Sequence, residues 1–194
     1  MPGPGKPGLN KPEHAPGQIR IIGGHWRGRK ISVADAAALR PTPNRARETL
    51  FNWLAPHIEG AACLDLYAGS GALGFEALSR GAASVCMVDA DSGAVAALRR
   101  NQARLQADAA EIIHTDALQW LQQNTAIYDI VFLDPPFQSG LLERSCELLL
   151  HGGHLSEKAH IYTEAETEQV NPGLNTIKTA RAGRVIYCLH ERCE

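Results

Sequence analysis

The sequence predicts a doubly wound α/β fold, in which helices cover both faces of a mainly parallel sheet. From residue 62 onward, nearly continuous apolar runs of strand length alternate with stretches of helical pattern, as expected for parallel strands that are buried on both faces. A glycine-rich turn over residues 69–74 follows the first apolar run and opens a helix, which is typical of the first unit of such folds. Two strand-like runs flank Ala182 and Gly183, so we expect the last strand to be antiparallel.

The alternation divides this part of the chain into strands and helices in order. Each predicted strand is a short apolar run, and the predicted helices fill the stretches between the first five strands. The predicted strands cover 62–67, 84–89, 111–114, 128–134, 160–164, 176–181 and 185–190, and the predicted helices cover 72–80, 91–106, 117–123 and 139–150.

The residues before this alternation have a different organisation. Residues 1–17 are rich in proline and glycine and nearly free of apolar side chains, so we expect them to be disordered. Two strand-like runs over 19–22 and 29–33, joined by a glycine-rich tip, predict a β-hairpin. We therefore expect a disordered tail over 1–17, a hairpin-and-helix extension over 18–58, and an α/β domain over 59–194.

A helix is predicted after the hairpin. Thr42 can cap its first turn, Pro43 suits the first helical position, and Pro56 would end it. The helical period of this segment gives one apolar face: Ala46, Leu50, Phe51, Trp53 and Leu54. The opposite face is polar and carries Arg45, Glu48 and Asn52. Arg47 falls inside the apolar sector, so its side chain must either leave the core at the helix end or reach a polar pocket.

Charge is distributed unevenly along the chain. Residues 1–50 hold nine lysines and arginines and three acids, a net charge of +6, whereas the remaining 144 residues carry −8. A basic front end beside an acidic body is typical of a polyanion-binding edge next to a catalytic domain. The alternative is solubilising charge on a loose N-terminal segment.

Several classes of protein are disfavoured by composition. No apolar run approaches the roughly 20 residues of a membrane helix, and the N-terminus lacks the hydrophobic segment of a secretory signal. The five cysteines show no C-x-x-C spacing, and the eight histidines show no spacing typical of metal ligands. We therefore expect reduced thiols, no bound metal and a cytoplasmic protein that does not contact a membrane.

The glycine-rich turn follows a carboxylate, Asp65. Gly69, Gly71 and Gly74 spell G-x-G-x-x-G, which also matches the fingerprint of NAD-binding folds, so an NAD-dependent oxidoreductase is the first alternative. Asp65 would lie beside the turn and would repel a pyrophosphate. It suits a ligand with an ammonium and a sulfonium group, which are both present in S-adenosylmethionine.

Two further acids follow the next strands. Asp89 ends the second apolar run, where a carboxylate can accept from both ribose hydroxyls of an adenosine, whereas Asp91 is better placed to cap the next helix. Asp116, followed by Ala117, comes after the third strand. Its carboxylate could accept from an adenine amino group, although a helix cap is an equally common role for such an aspartate.

The motif Asp134-Pro135-Pro136-Phe137 ends the fourth strand and decides the class. The prolines form a rigid extended turn that donates no backbone N–H, which leaves carbonyl acceptors beside a carboxylate and an aromatic ring. This combination suits a flat base with an amino group, because Phe137 can stack on the base. Asp134 and the Pro135 carbonyl can accept from the amine and turn its lone pair towards a methyl donor.

Four segments resemble the RsmD family of 16S ribosomal RNA guanine-N2 methyltransferases. They are IRIIGGHWRGRKI, RPTPNRARETLFNWL, LDLYAGSGALGFEALSRGA and DIVFLDPPFQSGLLE. The resemblance extends from residue 19 through the last strand, and the first two segments together with DPPF are its most specific parts. It implies a Rossmann-like, seven-stranded class I methyltransferase sheet whose last strand is antiparallel.

The resemblance also implies an activity and a set of site residues. The expected reaction is in-line methyl transfer from S-adenosyl-L-methionine to N2 of guanine 966 of 16S rRNA, in the family's nucleotide numbering, within an assembled or partly assembled 30S particle, and we expect a monomer. The implied cofactor residues are Asp65, Gly69, Gly71, Asp89, Asp116 and Ala117. The implied catalytic residues are Asp134, Pro135, Pro136 and Phe137. The RNA-facing residues would be Arg27, Arg29, Lys30, Arg45, Arg47, Glu48 and Asn52.

Three other functions remain open on the sequence. An NAD-linked oxidoreductase would explain the glycines but not Asp65 or DPPF. A ribosome-assembly factor without catalysis would keep the hairpin but would not need the intact pocket motifs. A methyltransferase for DNA adenine or protein glutamine would share the DPPF chemistry, although those enzymes usually have Asn where this chain has Asp134.

Overall fold

A computed structural model describes residues 17–33, 44–137, 139–167 and 173–193. The predicted disordered tail falls almost entirely outside the described residues, and so do Thr42 and Pro43, the predicted first positions of the helix after the hairpin. In the described parts, no helix has the length and apolar character needed to cross a membrane.

The described residues form a small hairpin, a helix and then a regular alternation of strands and helices. The strands are β1 (Gln18–Arg20), β2 (Lys30–Ser32), β3 (Ala62–Asp65), β4 (Ser84–Asp89), β5 (Ala110–His114), β6 (Tyr128–Leu133), β7 (Leu155–Ala165), β8 (Leu174–Ala182) and β9 (Val185–Arg192). The helices are α1 (Asn44–Trp53), α2 (Ala72–Ser79), α3 (Ser92–Leu105), α4 (Ala117–Gln123) and α5 (Leu141–His151).

The large sheet has seven strands in the order β5-β4-β3-β6-β7-β9-β8. Strands β3 to β7 pair in parallel, and β9 is antiparallel to both β7 and β8. The predicted doubly wound sheet with an antiparallel last strand is therefore confirmed. The chain moves outward from β3 to β5 and then resumes at β6 on the other side of β3, so the strand order reverses between β3 and β6. Ligands bind at such a switch point in open α/β sheets.

Strand β7 is longer than the sequence predicts. The predicted run covers 160–164, whereas the strand begins at Leu155. Glu157 and Lys158 are exposed and interrupt the apolar pattern. The register between β6 and β7 also shifts between Tyr128 and Ile130. Tyr128 pairs with Leu155 and Ile130 with His160, so β7 has extra residues between these two pairs and bulges there.

Both faces of the sheet are covered by apolar cores. Phe132 of β6 packs in one cluster with Phe51 of α1 and Phe75 of α2. The preceding residue, Val131, packs in a second cluster with Leu121 of α4 and other apolar side chains of α4 and α5. Neighbouring residues of a strand point to opposite faces, so the alternation along β6 accounts for two cores from one apolar run.

The N-terminal hairpin is fixed to α2 by a buried carboxylate. Glu76 is fully buried and accepts hydrogen bonds from the backbone N–H groups of Ile22 at 2.7 Å and Gly23 at 2.8 Å. Arg80, one turn later on α2, forms a 2.7 Å ion pair with the same carboxylate and lies over the ring of Phe51. The hairpin, α1 and α2 therefore share one polar anchor.

Further contacts hold the hairpin along its length. The Ser79 hydroxyl donates to the Gly23 carbonyl at 2.6 Å and accepts from the Trp26 N–H at 2.9 Å. Gly24 has φ 73°, and a Cβ there would lie 1.6 Å from the Ser79 carbonyl oxygen. Asn101 of α3 pairs with both backbone groups of Ser32. The basic front end is therefore a docked element in the described residues, and not a loose segment.

Helix α1 has the predicted faces. Ala46, Leu50 and Phe51 are buried, while Arg45, Glu48 and Asn52 are exposed. Trp53 is half-buried and packs its ring on Tyr187 of β9, with 5.6 Å between centroids. Arg47 is buried as well, so it takes the second of the two predicted outcomes and reaches a polar pocket.

Candidate active site

A cavity of about 1020 Å³ opens at the carboxyl ends of the parallel strands, on both sides of the switch point. It brings together residues from all four predicted motifs and three residues of α1, Asn44, Ala46 and Arg47. The predicted site residues that line it are Arg47, Asp65, Gly69, Asp89, Asp116, Ala117, Asp134, Pro135, Pro136 and Phe137. The predicted residues that do not line it are Arg27, Arg29, Lys30, Arg45, Glu48, Asn52 and Gly71.

Asp65 is the last residue of β3 and is buried at the floor of the cavity. The pKa of its carboxyl group is raised to about 7, mainly by burial and also by nearby Asp89, whereas the backbone N–H of Gly74, which donates at 3.0 Å, works in the opposite direction. A buried carboxylate is costly to ionise without a counter-charge. The position therefore favours a ligand that brings a positive group.

The glycine-rich turn passes from Asp65 into α2. The N–H of Gly69 donates to Asp89 Oδ2 at 2.7 Å, which ties the turn to the end of β4. Gly71 has φ 76°, and a Cβ there would lie 2.5 Å from Leu98 and 2.7 Å from Phe75. Gly71 thus serves close packing beneath the turn, while Gly69 forms the cavity wall.

The other two acids of the predicted cofactor site also serve local structure. Asp89 accepts from the N–H of Asp91 at 2.8 Å, and Asp91 caps α3, as predicted. Asp116 caps α4 by accepting from the Gln119 N–H at 2.9 Å. Both Asp89 and Asp116 still line the cavity. Capping and ligand binding are compatible for Asp116, because a carboxylate can accept more than one hydrogen bond.

The Asp-Pro-Pro-Phe motif forms the opposite wall. Asp134 and Phe137 are half-buried, and Pro135 is buried between them. The Ser139 hydroxyl donates to the Pro136 carbonyl at 2.6 Å. The prediction that the prolines leave carbonyls free is therefore wrong for Pro136, whose carbonyl holds the loop together.

A second acid, Glu164, was missed by the sequence analysis. It lies near the end of β7, is only 4% exposed, lines the same cavity and accepts from the Tyr162 hydroxyl at 2.7 Å. Leu133 of β6 pairs with Thr163 of β7, so Asp134 and Glu164 are the next residues of adjacent strands. The signal was present, because Glu164 ends a predicted strand just as Asp89 and Asp134 do.

Arg47 enters the cavity from α1. The residue is only 2% exposed, and its Nη2 donates to the Arg20 carbonyl at 3.0 Å and to Asn44 Oδ1 at 2.7 Å. Its Nη1 is buried and has no hydrogen-bond partner among the described residues. Burial lowers the pKa of Arg47, and the charge of Glu76 partly opposes that effect.

The predicted RNA-facing residues other than Arg47 are exposed and do not line the cavity. Arg27, Arg29 and Lys30 are exposed on the hairpin, and Arg29 donates to the carbonyl of Arg104 on α3 at 2.5 Å. This contact places the C-terminal end of α3 beside the hairpin. Among the described residues, no group of three or more potential metal ligands is present.

The fold and the cavity together define a class of protein. The order and directions of the seven strands, the glycine turn beside Asp65, and the Asp-Pro-Pro-Phe wall across the switch point are those of an α/β methyltransferase. The solved structure of the Escherichia coli protein yhhF has the same fold, with a TM-score of 0.85 and 48% identity, covering 91% of this chain and 98% of that chain.

The family described as "Conserved hypothetical protein 95" matches residues 19–191, and the chain belongs to it. Ribosomal RNA small subunit methyltransferase D of Escherichia coli strain K12 is 48% identical over 192 residues, which cover 95% of this chain and 96% of the relative. The Haemophilus influenzae protein of the same name is 42% identical over 185 residues, covering 92% and 96%. The resemblance to the RsmD family is thereby confirmed, and the NAD-linked oxidoreductase is excluded.

Proposed function

We propose that the protein transfers a methyl group from S-adenosyl-L-methionine to the exocyclic N2 amine of a guanine, position 966, in 16S rRNA of the small ribosomal subunit. The main support is that one cavity joins Asp65, Gly69, Asp89 and Asp116 to the Asp-Pro-Pro-Phe wall. A cofactor site and a base site that share one cavity permit direct transfer between two bound molecules. The names of the similar small-subunit rRNA methyltransferases agree with this proposal.

The residues of the cavity fit the proposed cofactor. Asp65 is a buried carboxylate that would hold the ammonium group of the methionine part. Asp89 at the end of β4 would accept from the ribose hydroxyls, and Asp116 with Ala117 would border the adenine. When bound, the cofactor supplies an electrophilic methyl group. The fit therefore rests on three acids that end or follow neighbouring strands.

Two adjacent carboxylates support guanine as the target base. The Watson–Crick edge of guanine presents N1–H and the N2 amine side by side, so it offers donors at two neighbouring positions. Adenine and cytosine present a ring-nitrogen acceptor beside their amine, which would face a carboxylate unfavourably. Asp134 and Glu164 lie at adjacent strand ends in the cavity. We assign Asp134 and the Pro135 carbonyl to the amine, and Glu164 to the N1–H side.

The main catalytic contribution of these residues is alignment. Phe137 would stack on a base that has left its helix. Asp134 and the Pro135 carbonyl would hold the amine so that its lone pair faces the methyl group, and correct orientation can lower a barrier by roughly 7–11 kcal/mol. Once attack makes the nitrogen acidic, Asp134 or water takes the proton, so no strong general base is required.

The exposed basic surface would position the RNA. We assign Arg27, Arg29 and Lys30 on the hairpin to phosphate contacts, and Arg45, Glu48 and Asn52 on α1 to the edge that faces the RNA. The proposed substrate is an assembled or partly assembled 30S particle, bound by a monomer in the cytoplasm. Because the hairpin is docked on α2 and α3, its charges have a fixed position relative to the cavity.

Labelled methyl transfer tests this proposal. The protein is incubated with labelled S-adenosylmethionine and either undermethylated 30S particles, free 16S rRNA or plasmid DNA, and the labelled nucleoside is identified. Label on N2 of guanosine in the particles alone is expected. Label on DNA adenine, or on another RNA base, would contradict the proposed target. Absence of label from all three would favour the assembly factor without catalysis.

A further inference from the structure

Arg47 has one guanidinium nitrogen without a partner in the described structure. Nη2 is engaged by the Arg20 carbonyl and Asn44, whereas Nη1 is buried and has no hydrogen bond. Leaving a buried donor unsatisfied costs free energy, and the cost is larger for a charged group. A buried, half-satisfied cation therefore indicates a site that is completed by a ligand.

Among the described residues, no acid forms an ion pair with this cation. Glu76 is the acid whose charge acts on Arg47, but its two oxygens already accept from Ile22, Gly23 and Arg80. The positive charge of Arg47 is held in place by neutral acceptors, a carbonyl and an amide oxygen. An anionic group that reached Nη1 would find a preorganised and largely desolvated partner.

The position of Arg47 indicates which anion this is. Arg47 lines the same cavity as Asp65 and Gly69, the residues assigned to the methionine part of the cofactor. That part carries an ammonium and a carboxylate on one carbon atom. Asp65 suits the ammonium, so a cation is needed nearby for the carboxylate. The described cavity wall offers two cations, Arg20 and Arg47, and of these Arg20 is exposed.

We propose that Nη1 of Arg47 binds the carboxylate of the cofactor's methionine part, so that the N-terminal extension completes the cofactor site. This inference rests on the proposed use of S-adenosylmethionine. It moves Arg47 from the predicted RNA-facing set, whose other members are exposed, to the cofactor. It also gives the anchor at Glu76 a function, because that anchor fixes the hairpin whose Arg20 carbonyl orients the guanidinium.

A comparison of two ligands tests the assignment without any substitution. Binding of S-adenosylmethionine and of its decarboxylated analogue is measured by calorimetry with the wild-type protein. Because removing one partner of a buried charge pair costs about 30-fold or more in affinity, the analogue should bind more weakly by about that factor. Equal affinity for the two ligands would overturn the inference. Failure of the wild type to bind either ligand would overturn the proposed function itself.

Substitutions on α1 then identify the residue. Arg47→Met should lose about 30-fold or more in affinity for S-adenosylmethionine but bind the decarboxylated analogue as the wild type does, which also shows that the variant is folded. Arg47→Lys should bind S-adenosylmethionine with an affinity between those of the wild type and Arg47→Met. Arg99→Met, a change at an exposed arginine of α3 that does not line the cavity, is the matched control and should change neither affinity. Equal losses for both ligands, or weakened RNA binding with unchanged cofactor binding, would contradict the assignment.

Discussion

Acidic residues stand at or near the carboxyl ends of four parallel strands, β3, β4, β6 and β7. Asp65 and Asp89 end the first two and face the proposed cofactor, while Asp134 and Glu164 belong to the last two and face the proposed base. Because the ends of parallel strands meet at one edge of a sheet, residues far apart in sequence form one cavity. A single positional rule therefore accounts for both halves of the site.

Asp65 leads to a prediction about pH. With its pKa at about 7 in the free protein, part of the population must release a proton when a cationic ligand binds. Affinity for S-adenosylhomocysteine, which keeps the ammonium group, should approach its plateau near pH 8, about one unit above this pKa. It should weaken below pH 7 by up to tenfold for each pH unit. Calorimetry between pH 5 and 8, in buffers that differ in ionisation enthalpy, measures both the affinity and the proton release.

The matched variant for this pH effect is Asp65→Asn, which removes the titrating group. It should bind S-adenosylhomocysteine more weakly than the wild type at pH 8, with an affinity that does not vary over the same pH range. A wild-type affinity that is constant from pH 5 to 8 would show that ionised Asp65 does not hold the ligand.

Asp134 leads to a prediction about rate. Asp134→Ala should retain affinity for the cofactor, because the residue lies on the base side of the cavity, and should lose about 100-fold or more in methyl transfer, since misplacing a reacting group can cost this much. Single-turnover transfer to 30S particles measures the rate. Asp108→Ala, a change at an exposed acid outside the cavity, is the control. Near-normal turnover of Asp134→Ala would remove the role assigned to this residue.

At the scale of single residues, the sequence predicts where a side chain lies better than it predicts which hydrogen bonds that side chain forms. The acids at strand ends could be assigned because each one follows an apolar run. Glu164 could have been assigned by the same rule, because it ends the predicted strand over 160–164. The unpartnered Nη1 of Arg47 could not be predicted, because it depends on a carbonyl from the hairpin and on Asn44, which meet only in the folded chain.

At the scale of elements, the N-terminal extension is fastened to the sheet domain by α2. Glu76 receives two hairpin N–H groups and Arg80, with no exposed surface. Glu76→Gln should lower the free energy of unfolding by about 1.5–3 kcal/mol. The substitution removes hydrogen bonds to a charged group, and the NH2 of the new side chain would face a buried N–H donor that then has no acceptor. Chemical denaturation measures this, and hydrogen exchange should rise most in residues 18–33.

The control for this substitution is Glu48→Gln, which changes an exposed acid on α1. It should leave both the free energy of unfolding and the exchange pattern unchanged. Unaltered exchange in the hairpin of Glu76→Gln would show that other contacts, such as those of Ser79 and Asn101, suffice to hold the extension.

The hairpin leads to a prediction about salt. Alanine at Arg27, Arg29 and Lys30 together should weaken RNA binding and flatten the slope of log affinity against log salt by about 0.7–0.9 for each phosphate that is no longer neutralised. Binding to 30S particles over a range of KCl concentrations measures the slope. Lys158→Ala, exposed near the start of β7 and away from the cavity, should leave it unchanged. An unchanged slope in the triple variant would mean that the hairpin does not touch phosphate.

Element types could be predicted from sequence more reliably than their contacts. The alternation of apolar runs and helical stretches predicted seven strands and four helices after residue 59, and the hairpin followed from two runs around a glycine-rich tip. The docking of that hairpin could not be predicted, because Glu76 lies within an apolar helix and shows no local pattern that indicates its distant partners.

At the scale of the whole molecule, the switch point between β3 and β6 places two binding regions in one cavity. The β3–β4–β5 half supplies Asp65, Asp89 and Asp116, and the β6–β7 half supplies Asp134 and Glu164. The N-terminal extension covers the edge of the cavity with Arg47. The fold thus brings together the proposed cofactor site, the proposed base site and the proposed RNA-facing surface without a separate domain for each.

The most direct test of this arrangement is a crystal structure of the protein with bound S-adenosylhomocysteine. We predict the ligand in the cavity at the strand ends, with its amine at Asp65, its ribose hydroxyls at Asp89, its adenine beside Asp116 and its carboxylate at Arg47, leaving the space before Asp134 and Phe137 open for a base. A ligand bound elsewhere, or one that fills the space before Asp134, would contradict the proposed division of the cavity.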